Sequence, residues 1–288
     1  MAYDNFIPEV WEEKIERDME KDCVYAEDTN RHYEGSVKKC GDTVHILGSG
    51  KPTIHTLARA AADGDIEGPE TVDGTDTTLV IDQIRYFNFK EGDIDKAQDV
   101  GGVMDTLTKE ANEGLADEVD QYLSKIHLTS DFAPFTNEYG VTVGQISEDA
   151  LTKDNVLDML DDGREKLLEN NVRSTTEIVV VLPPKVETRF RRAYMKEDTN
   201  NHEEMKNGKI AKYANLTIKV SNNVPKDGDG YYHIQMKTKR AIAYAQPLRH
   251  VEAYRPEKGF ADAVKGFILF GAKVVRPKEI VDLKVKVA

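Results

Sequence analysis

Apolar positions repeat with two different periods along the chain, and each change of period marks an element. Pro8 followed by Glu9, Val10, Trp11, Glu12 and Glu13 predicts a helix start, with acidic side chains where the macrodipole favours them. Val10, Trp11, Ile15 and Met19 fall near one stripe of that helix, so it reads as an arm with a single apolar face. From Gly35 to Leu47 the chain has strand character, clearest in the alternation of Thr43, Val44, His45 and Ile46. Residues 48–76 hold Gly48, Gly50, Pro52, Gly64, Gly68, Pro69 and Gly74 with a run of acids from Asp63 to Asp76. The β-branched and aromatic run from Thr77 to Phe87 predicts a second strand, so two strands bracket a long glycine-rich excursion.

The period then becomes helical. Val103, Leu107, Ala111, Leu115, Val119, Tyr122 or Leu123, and Ile126 recur at three and four residues between Asp95 and Leu128. A helix of that length, at about 1.5 Å per residue, extends roughly 45 Å and serves as a spine. A second amphipathic helix is expected from Thr152 to Asn171, with Val156, Leu160 and Leu167 on one stripe. Glu177–Leu182 is a continuous apolar run, as in a strand buried on both faces, and Pro183-Pro184 ends it ahead of a short helix carrying Val186, Phe190 and Tyr194. Residues 195–209 are polar and read as a loop. Strands return at Leu216–Val220, Tyr232–Met236 and Ile280–Val287. The mixed order of elements is that of an α+β protein.

Charge narrows the function classes. The 288 residues carry 52 acidic and 39 basic side chains, a formal net charge of −13, which argues against a dedicated nucleic-acid or anionic-lipid binder. Cys23 and Cys40 form no CxxC pair and no zinc-spaced cluster, so reduced thiols are expected. The opening residues lack the basic and apolar regions of a signal peptide, and no apolar run is long enough to span a bilayer; the expectation is a soluble protein made in the cytoplasm.

Candidate chemistry does not survive inspection. Gly48-Ser49-Gly50-Lys51-Pro52-Thr53 looks like a phosphate-binding loop, but His45 stands where that loop needs glycine and Pro52 where it needs Ser or Thr for magnesium. Proline also biases Lys51 away from the helix the motif requires. The histidines, at 32, 45, 55, 127, 202, 233 and 250, contain no i, i+4 pair, and surface or satisfied-core histidine is the better reading of each. No GxSxG elbow is present, and with so many acids any one carboxylate pair is uninformative. No catalytic residue, cofactor or metal site is therefore assigned. Arg189-Phe190-Arg191-Arg192 is the densest basic cluster; it could meet phosphate or an acidic patch on a neighbour, but a solvated helix face with one core Phe is favoured.

Taken in order, these segments resemble tailed-phage major capsid proteins of the Hong Kong 97 type, over nearly the whole chain. Phe6-Ile7-Pro8-Glu9-Val10-Trp11 is similar to that family's arm opening. Asn30–Gly35 with Gly41–Ile46 resembles the ascending strand of its extended loop, and Thr78–Gln83 with Tyr86–Phe89 the descending strand. Ala116–Leu123 is similar to the later turns of the spine helix, Val179–Pro184 to the central axial strand, and Gly208–Ile210 through Val220–Pro225 to the strand and turn beyond it. The polar stretch 195–209 departs from the family pattern.

The resemblance implies an α+β capsid subunit divided into an N-terminal arm (1–34), an extended β-hairpin loop (35–90), a peripheral domain with the spine helix (91–140), an axial domain with a mixed central sheet (141–255) and a C-terminal return (256–288). It implies self-assembly into pentamers and hexamers of an icosahedral shell around double-stranded DNA, with scaffolding, portal and decoration proteins as further partners, no cofactor, and residence in the virion. Trp11, Ile15, Gly50, Lys51, Gly64, Gly74, Arg189, Arg191 and Arg192 are the assembly candidates. The rival readings are a soluble α/β enzyme with a lid at 48–76, and a phage decoration or tail protein.

Overall fold

The computed structural model describes residues 24–33, 43–49, 52–56, 68–71, 74–92, 103–128, 143–196, 212–257 and 260–287. Among these, strands β1 (Thr43–Ser49) and β2 (Gly74–Val80) form an antiparallel hairpin. Strand β3 (Gln83–Gly92) belongs to a different sheet, of order β3-β10-β9, with β9 at Ile242–Tyr254 and β10 at Ala261–Val274. The third sheet has six strands in the order β4-β11-β8-β5-β7-β6, comprising β4 (Gly144–Leu151), β5 (Ile178–Leu182), β6 (Lys212–Tyr213), β7 (Leu216–Val220), β8 (Tyr232–Thr238) and β11 (Ile280–Val287). The β4/β11 and β5/β7 pairs are parallel and the rest antiparallel, so the sheet is mixed. Helices α1 (Val103–Lys125), α2 (Val156–Glu169) and α3 (Pro184–Lys196) complete the α+β architecture expected from the sequence. No helix among the described residues is long and apolar enough to cross a membrane.

The apolar run Ile178–Leu182 is buried at every position, as a strand covered on both faces must be. One face lies under α2. Gly163 permits the close approach: a Cβ there would stand 2.9 Å from Met236 Cε and 3.0 Å from Leu283 Cδ2. Val156, Met159, Leu160 and Leu167 form the buried stripe of α2, and Val186, Phe190 and Ala193 that of α3. On the other face, alternate residues of β8 turn toward α1, whose terminal carbonyls at Leu123 and Ser124 accept hydrogen bonds from the Gln235 amide at 2.9 and 3.0 Å.

In α1 the buried positions Thr108, Asn112, Leu115, Ala116, Val119, Asp120, Leu123 and Ser124 follow the helical period. Leu115, Val119 and Leu123 are core, as the periodicity predicts, while Leu107 and Ala111 are only half-buried because the inward stripe in the first turns runs through Thr108 and Asn112. Asp120 is buried at no great cost because it accepts the Tyr25 N–H at 2.9 Å, the Asn223 amide at 3.0 Å and the Ser221 hydroxyl at 3.3 Å. The expected start of this helix near Asp95 lies outside the described residues, as do the arm helix, Cys23, Cys40 and most of the 195–209 loop.

Two features differ from expectation. The single strand expected over 77–87 is two strands: the chain leaves the hairpin at Val80, buries Ile81 and starts β3 at Gln83 in the three-stranded sheet. Gly271 of β10 marks the crossing, since a Cβ there would lie 2.3 Å from the Val80 carbonyl oxygen. The long strands β9 and β10, and β4, were not foreseen.

Candidate assembly surfaces

The β1/β2 hairpin has a seven-residue ladder from Thr43 opposite Val80 to Ser49 opposite Gly74, which spans roughly 20 Å at about 3.3 Å per residue. Its base is anchored. Ile46, Leu79 and Ile81 bury themselves against Ala243, Ala245 and Leu269. Beyond the ladder, residues 52–56 and 68–71 are exposed throughout. The Glu70 carboxylate ties these two arms together, accepting the Thr53 N–H at 2.9 Å and the Thr53 hydroxyl at 2.9 Å. Ile54 stands beside that clasp with 91% of its surface exposed.

The three-stranded sheet has apolar side chains on both faces. The inner face packs on α1: Tyr122 meets Phe270 edge-on at 5.3 Å, Phe87 stacks on Phe89 at 5.7 Å, and Arg85 pairs with Glu118 at 3.2 Å while lying over the Phe270 ring. The strand register places Ile84, Leu269 and Leu248 in one row of the outer face, and Tyr86, Phe267 and His250 in the next. The hairpin base covers Leu269. The surface then continues uncovered, with Ile84 48%, Leu248 39% and Tyr86 77% exposed. A further row is polar, where Lys265 pairs with Glu252 at 3.0 Å. An apolar patch with a charged border on an otherwise acidic protein is the form of an interaction surface.

Of the sequence-derived candidates, Gly74 opens β2 opposite Ser49, at the outer end of the ladder. Arg189, Arg191 and Arg192 lie on α3; the first two are half-buried, Arg192 is exposed, and Phe190 between them is core, packed edge-on against Tyr213 at 5.8 Å. Trp11, Ile15, Gly50, Lys51 and Gly64 lie outside the described residues. Sequence reasoning missed Ile84, Tyr86, Leu248 and Phe267. A signal existed for the first two: in Gln83–Phe89 both parities of the strand carry large apolar groups, which a one-sided strand does not need. Among the described residues no group of three or more His, Cys, Asp or Glu is placed to hold a metal ion.

No protein-family model matches the sequence, and no curated protein matches it either. Solved structures do. One of Mycobacterium phage Che8 is similar with a TM-score of 0.74 and 25% identity, covering 98% of this chain and 98% of that one. The capsid structure of Cyanophage P-SCSP1u has a TM-score of 0.69 at 14% identity over 88% and 85% of the two chains. The mature capsid of bacteriophage PhiM1 has a TM-score of 0.67 at 14% identity over 89% and 87%. A likeness that runs end to end in both directions is one of whole architecture. The chain has the Hong Kong 97 fold of tailed-phage major capsid proteins.

Proposed function

We propose that the protein is the major capsid subunit of a tailed phage, building pentamers and hexamers of an icosahedral shell that encloses double-stranded DNA. The observation that carries this reading is the two-way coverage of 98% with the Mycobacterium phage Che8 structure, supported by the capsid structures that share the fold. The physics of the subunit agrees. A hairpin with a buried base and described outer residues that are exposed, beside an apolar sheet face open to solvent, serves a monomer poorly but suits a subunit that buries surface on several neighbours. The role is structural and not catalytic.

In this reading the six-stranded sheet with α2 and α3 is the axial domain, and α1 with the three-stranded sheet is the peripheral domain. Residues 1–34 form the arm, β1 and β2 within 35–90 form the extended loop while β3 joins the peripheral sheet, and β10 and β11 return the chain from peripheral to axial domain. Scaffolding, portal and decoration proteins are the further partners, the host cytoplasm the place of synthesis and the virion the destination. The arginines of α3 offer an exposed basic contact for a neighbouring acidic surface or for packaged DNA. Purified full-length protein, alone and with a co-expressed scaffolding protein, is expected to sediment as rings of five and six and as closed shells visible by electron microscopy. Monomer alone at high concentration, across salt conditions and with scaffold present, overturns the proposal.

A further inference from the structure

Two histidines distant in sequence meet on one buried carboxylate. His127 follows the last turn of α1, His233 lies on β8 and Asp282 on β11, and all three are 0% exposed. His127 Nε2 lies 3.3 Å from Asp282 Oδ1, His233 Nδ1 lies 2.9 Å from Asp282 Oδ2, and the Gln145 amide donates to Oδ2 at 3.3 Å. The same Gln235 amide nitrogen that donates to the Leu123 and Ser124 carbonyls lies 2.8 Å from His127 Nδ1.

That geometry fixes the protonation state of His127. Two carbonyl oxygens face one end of the Gln235 amide, so that end is the NH2 group; its oxygen there would face two acceptors. His127 Nδ1 must then accept, its proton sits on Nε2, and the ring donates to Asp282. The imidazole is neutral. A second proton can enter only at Nδ1, where it meets the N–H of Gln235. Turning the amide over to receive it sets oxygen against the terminal carbonyls of α1. The two N–H groups of Gln235 are shared among the Leu123 and Ser124 carbonyls and His127 Nδ1, so a proton on Nδ1 removes one acceptor, sets an N–H against the amide and weakens the arrangement that holds the end of α1 to the sheet.

We infer that Gln235, His127 and Asp282 form a proton-sensitive latch, which ties the C-terminal end of α1 to the six-stranded sheet at neutral pH and releases it in mild acid. The groups facing His127 are Asp282 from β11, which attracts a proton, and His233 and Lys237 from β8, which repel one. Asp227 stands behind His233, 3.7 Å from its Nε2, and Lys125 on the helix itself is exposed. Burial is the largest influence and holds His127 below the ordinary imidazole range. Burial pushes Asp282 upward, but hydrogen bonds from the two histidines outweigh it and leave the carboxyl below its usual range.

The sign follows from proton counting. With its pKa depressed in the closed state, His127 takes up a proton on opening, so the closed state weakens as pH falls below the ordinary imidazole value toward the depressed one. Asp282 acts in the same direction only below the ordinary carboxylate range, which leaves the window near pH 5 to 6.5 to His127.

Amide hydrogen exchange of the full-length subunit, read by mass spectrometry in peptides covering residues 119–128, tests the latch. After correction for intrinsic rates, opening is expected to be more populated at pH 5.5 than at pH 7.5, by up to about tenfold. His127→Gln should remove the dependence. Asp282→Asn keeps an acceptor for Nε2–H but no charge; it lowers the closed-state value of His127 further, so the rise should begin at the same pH and continue to more acid pH than in the wild-type chain. Protection that stays flat from pH 7.5 to 5 in the wild-type chain overturns the proposal, as does an unchanged rise in the His127→Gln chain. Should either variant fail to fold, imidazole C2-hydrogen exchange in the wild-type chain decides: a His127 midpoint at or above the ordinary value also overturns it. These measurements read the subunit itself, so their outcome is separate from whether shells form.

Discussion

The six-stranded and three-stranded sheets use the same kind of strand to opposite ends. The first is covered on both sides: β5 is buried at all five positions, with α2 and α3 over one face and the end of α1 with Tyr25 over the other. The second is covered on its inner side, and on its outer side only where the hairpin base lies over Leu269. Its inner residues lock onto α1 through Phe270 and Arg85, while Ile84 and Tyr86 on the same strand look outward. A sheet closed on both faces fixes the fold of the chain by itself. A sheet with an apolar face left open holds binding energy in reserve for another molecule, and the hairpin beside it carries the same division within one element, with a buried base and an exposed far end. If the proposed capsid role holds, stability and assembly are thus separable in this subunit, and substitutions are expected to affect one without the other.

The largest effect is expected where α1 joins the two sheets. Leu115 and Val119 are 7% and 1% exposed on the buried stripe. Losing such an aliphatic group costs about 2–5 kcal/mol before the desolvation of a carboxylate is added. Leu115→Asp and Val119→Asp are expected to prevent folding, seen as loss of the cooperative melting transition in circular dichroism. Soluble, normally assembling variants would show that this helix is not the joint between the sheets.

Replacing residues 50–74 with a short Asn-Gly turn comes next. The hairpin base at Ile46, Leu79 and Ile81 stays intact, and a two-residue turn suits an antiparallel pair. The subunit should melt as before, or slightly higher since a shorter loop loses less entropy on closing, yet assemble poorly or not at all by electron microscopy. Normal shells would rule out a clamping role for the hairpin, and a collapsed melting transition would place the segment in the core.

The elements that were legible in the sequence are those whose burial pattern is set locally. The run Ile178–Leu182 is apolar at every position, and the α1 stripe through Leu115, Val119 and Leu123 repeats at the helical period, so each announces its environment without reference to the rest of the chain. Strands β9 and β10 do not. Their buried residues include Ala243, Ala245, Ala261 and Ala263, and they contain Pro247, Gly266 and Gly271, weak strand formers held because β10 pairs with β3, more than 150 residues away, and β9 pairs with β10. The open apolar face was hidden for the same reason. Tyr86 and Phe267 become one patch only through the register of two distant strands. His127, His233 and Asp282 share no motif at all, being gathered by topology, so scattered histidines were read singly and their meeting was out of reach.

A smaller effect separates the two faces of β3. Ile84→Ser with Tyr86→Ser alters only outward positions, for which surface substitutions change stability by about 0.5 kcal/mol or less. Thermal melting should therefore hardly move, while the protein concentration needed for shell formation rises roughly tenfold, about 1.4 kcal/mol of lost contact energy. Phe87→Ser, one residue along, faces the inner side and should do the reverse, lowering the melting temperature. If both changes lowered stability alike, the outer face would be part of the subunit core and the division between the two sheets would fail.

The smallest effect is expected at the clasp between the arms of the hairpin, and it tests whether the far end is prepared for assembly before a neighbour arrives. Glu70 accepts two hydrogen bonds from Thr53, and every residue in 52–56 and 68–71 is exposed. Water competes for these bonds, so Glu70→Gln should leave the melting temperature unchanged within error. What the clasp does is restrict the two arms to one relative position and so set where Ile54 stands. Ordering those arms at the moment of docking would otherwise subtract from the binding energy, by about 0.5–1.5 kcal/mol for each side chain immobilised. The variant should thus assemble to normal shells, but several-fold more slowly in light-scattering traces, with the deficit recovered at higher protein concentration. An unchanged rate would mean that the arms take their form only on the neighbouring subunit. A lowered melting temperature would mean that the clasp supports the base, which the separate burial of Ile46, Leu79 and Ile81 gives no reason to expect.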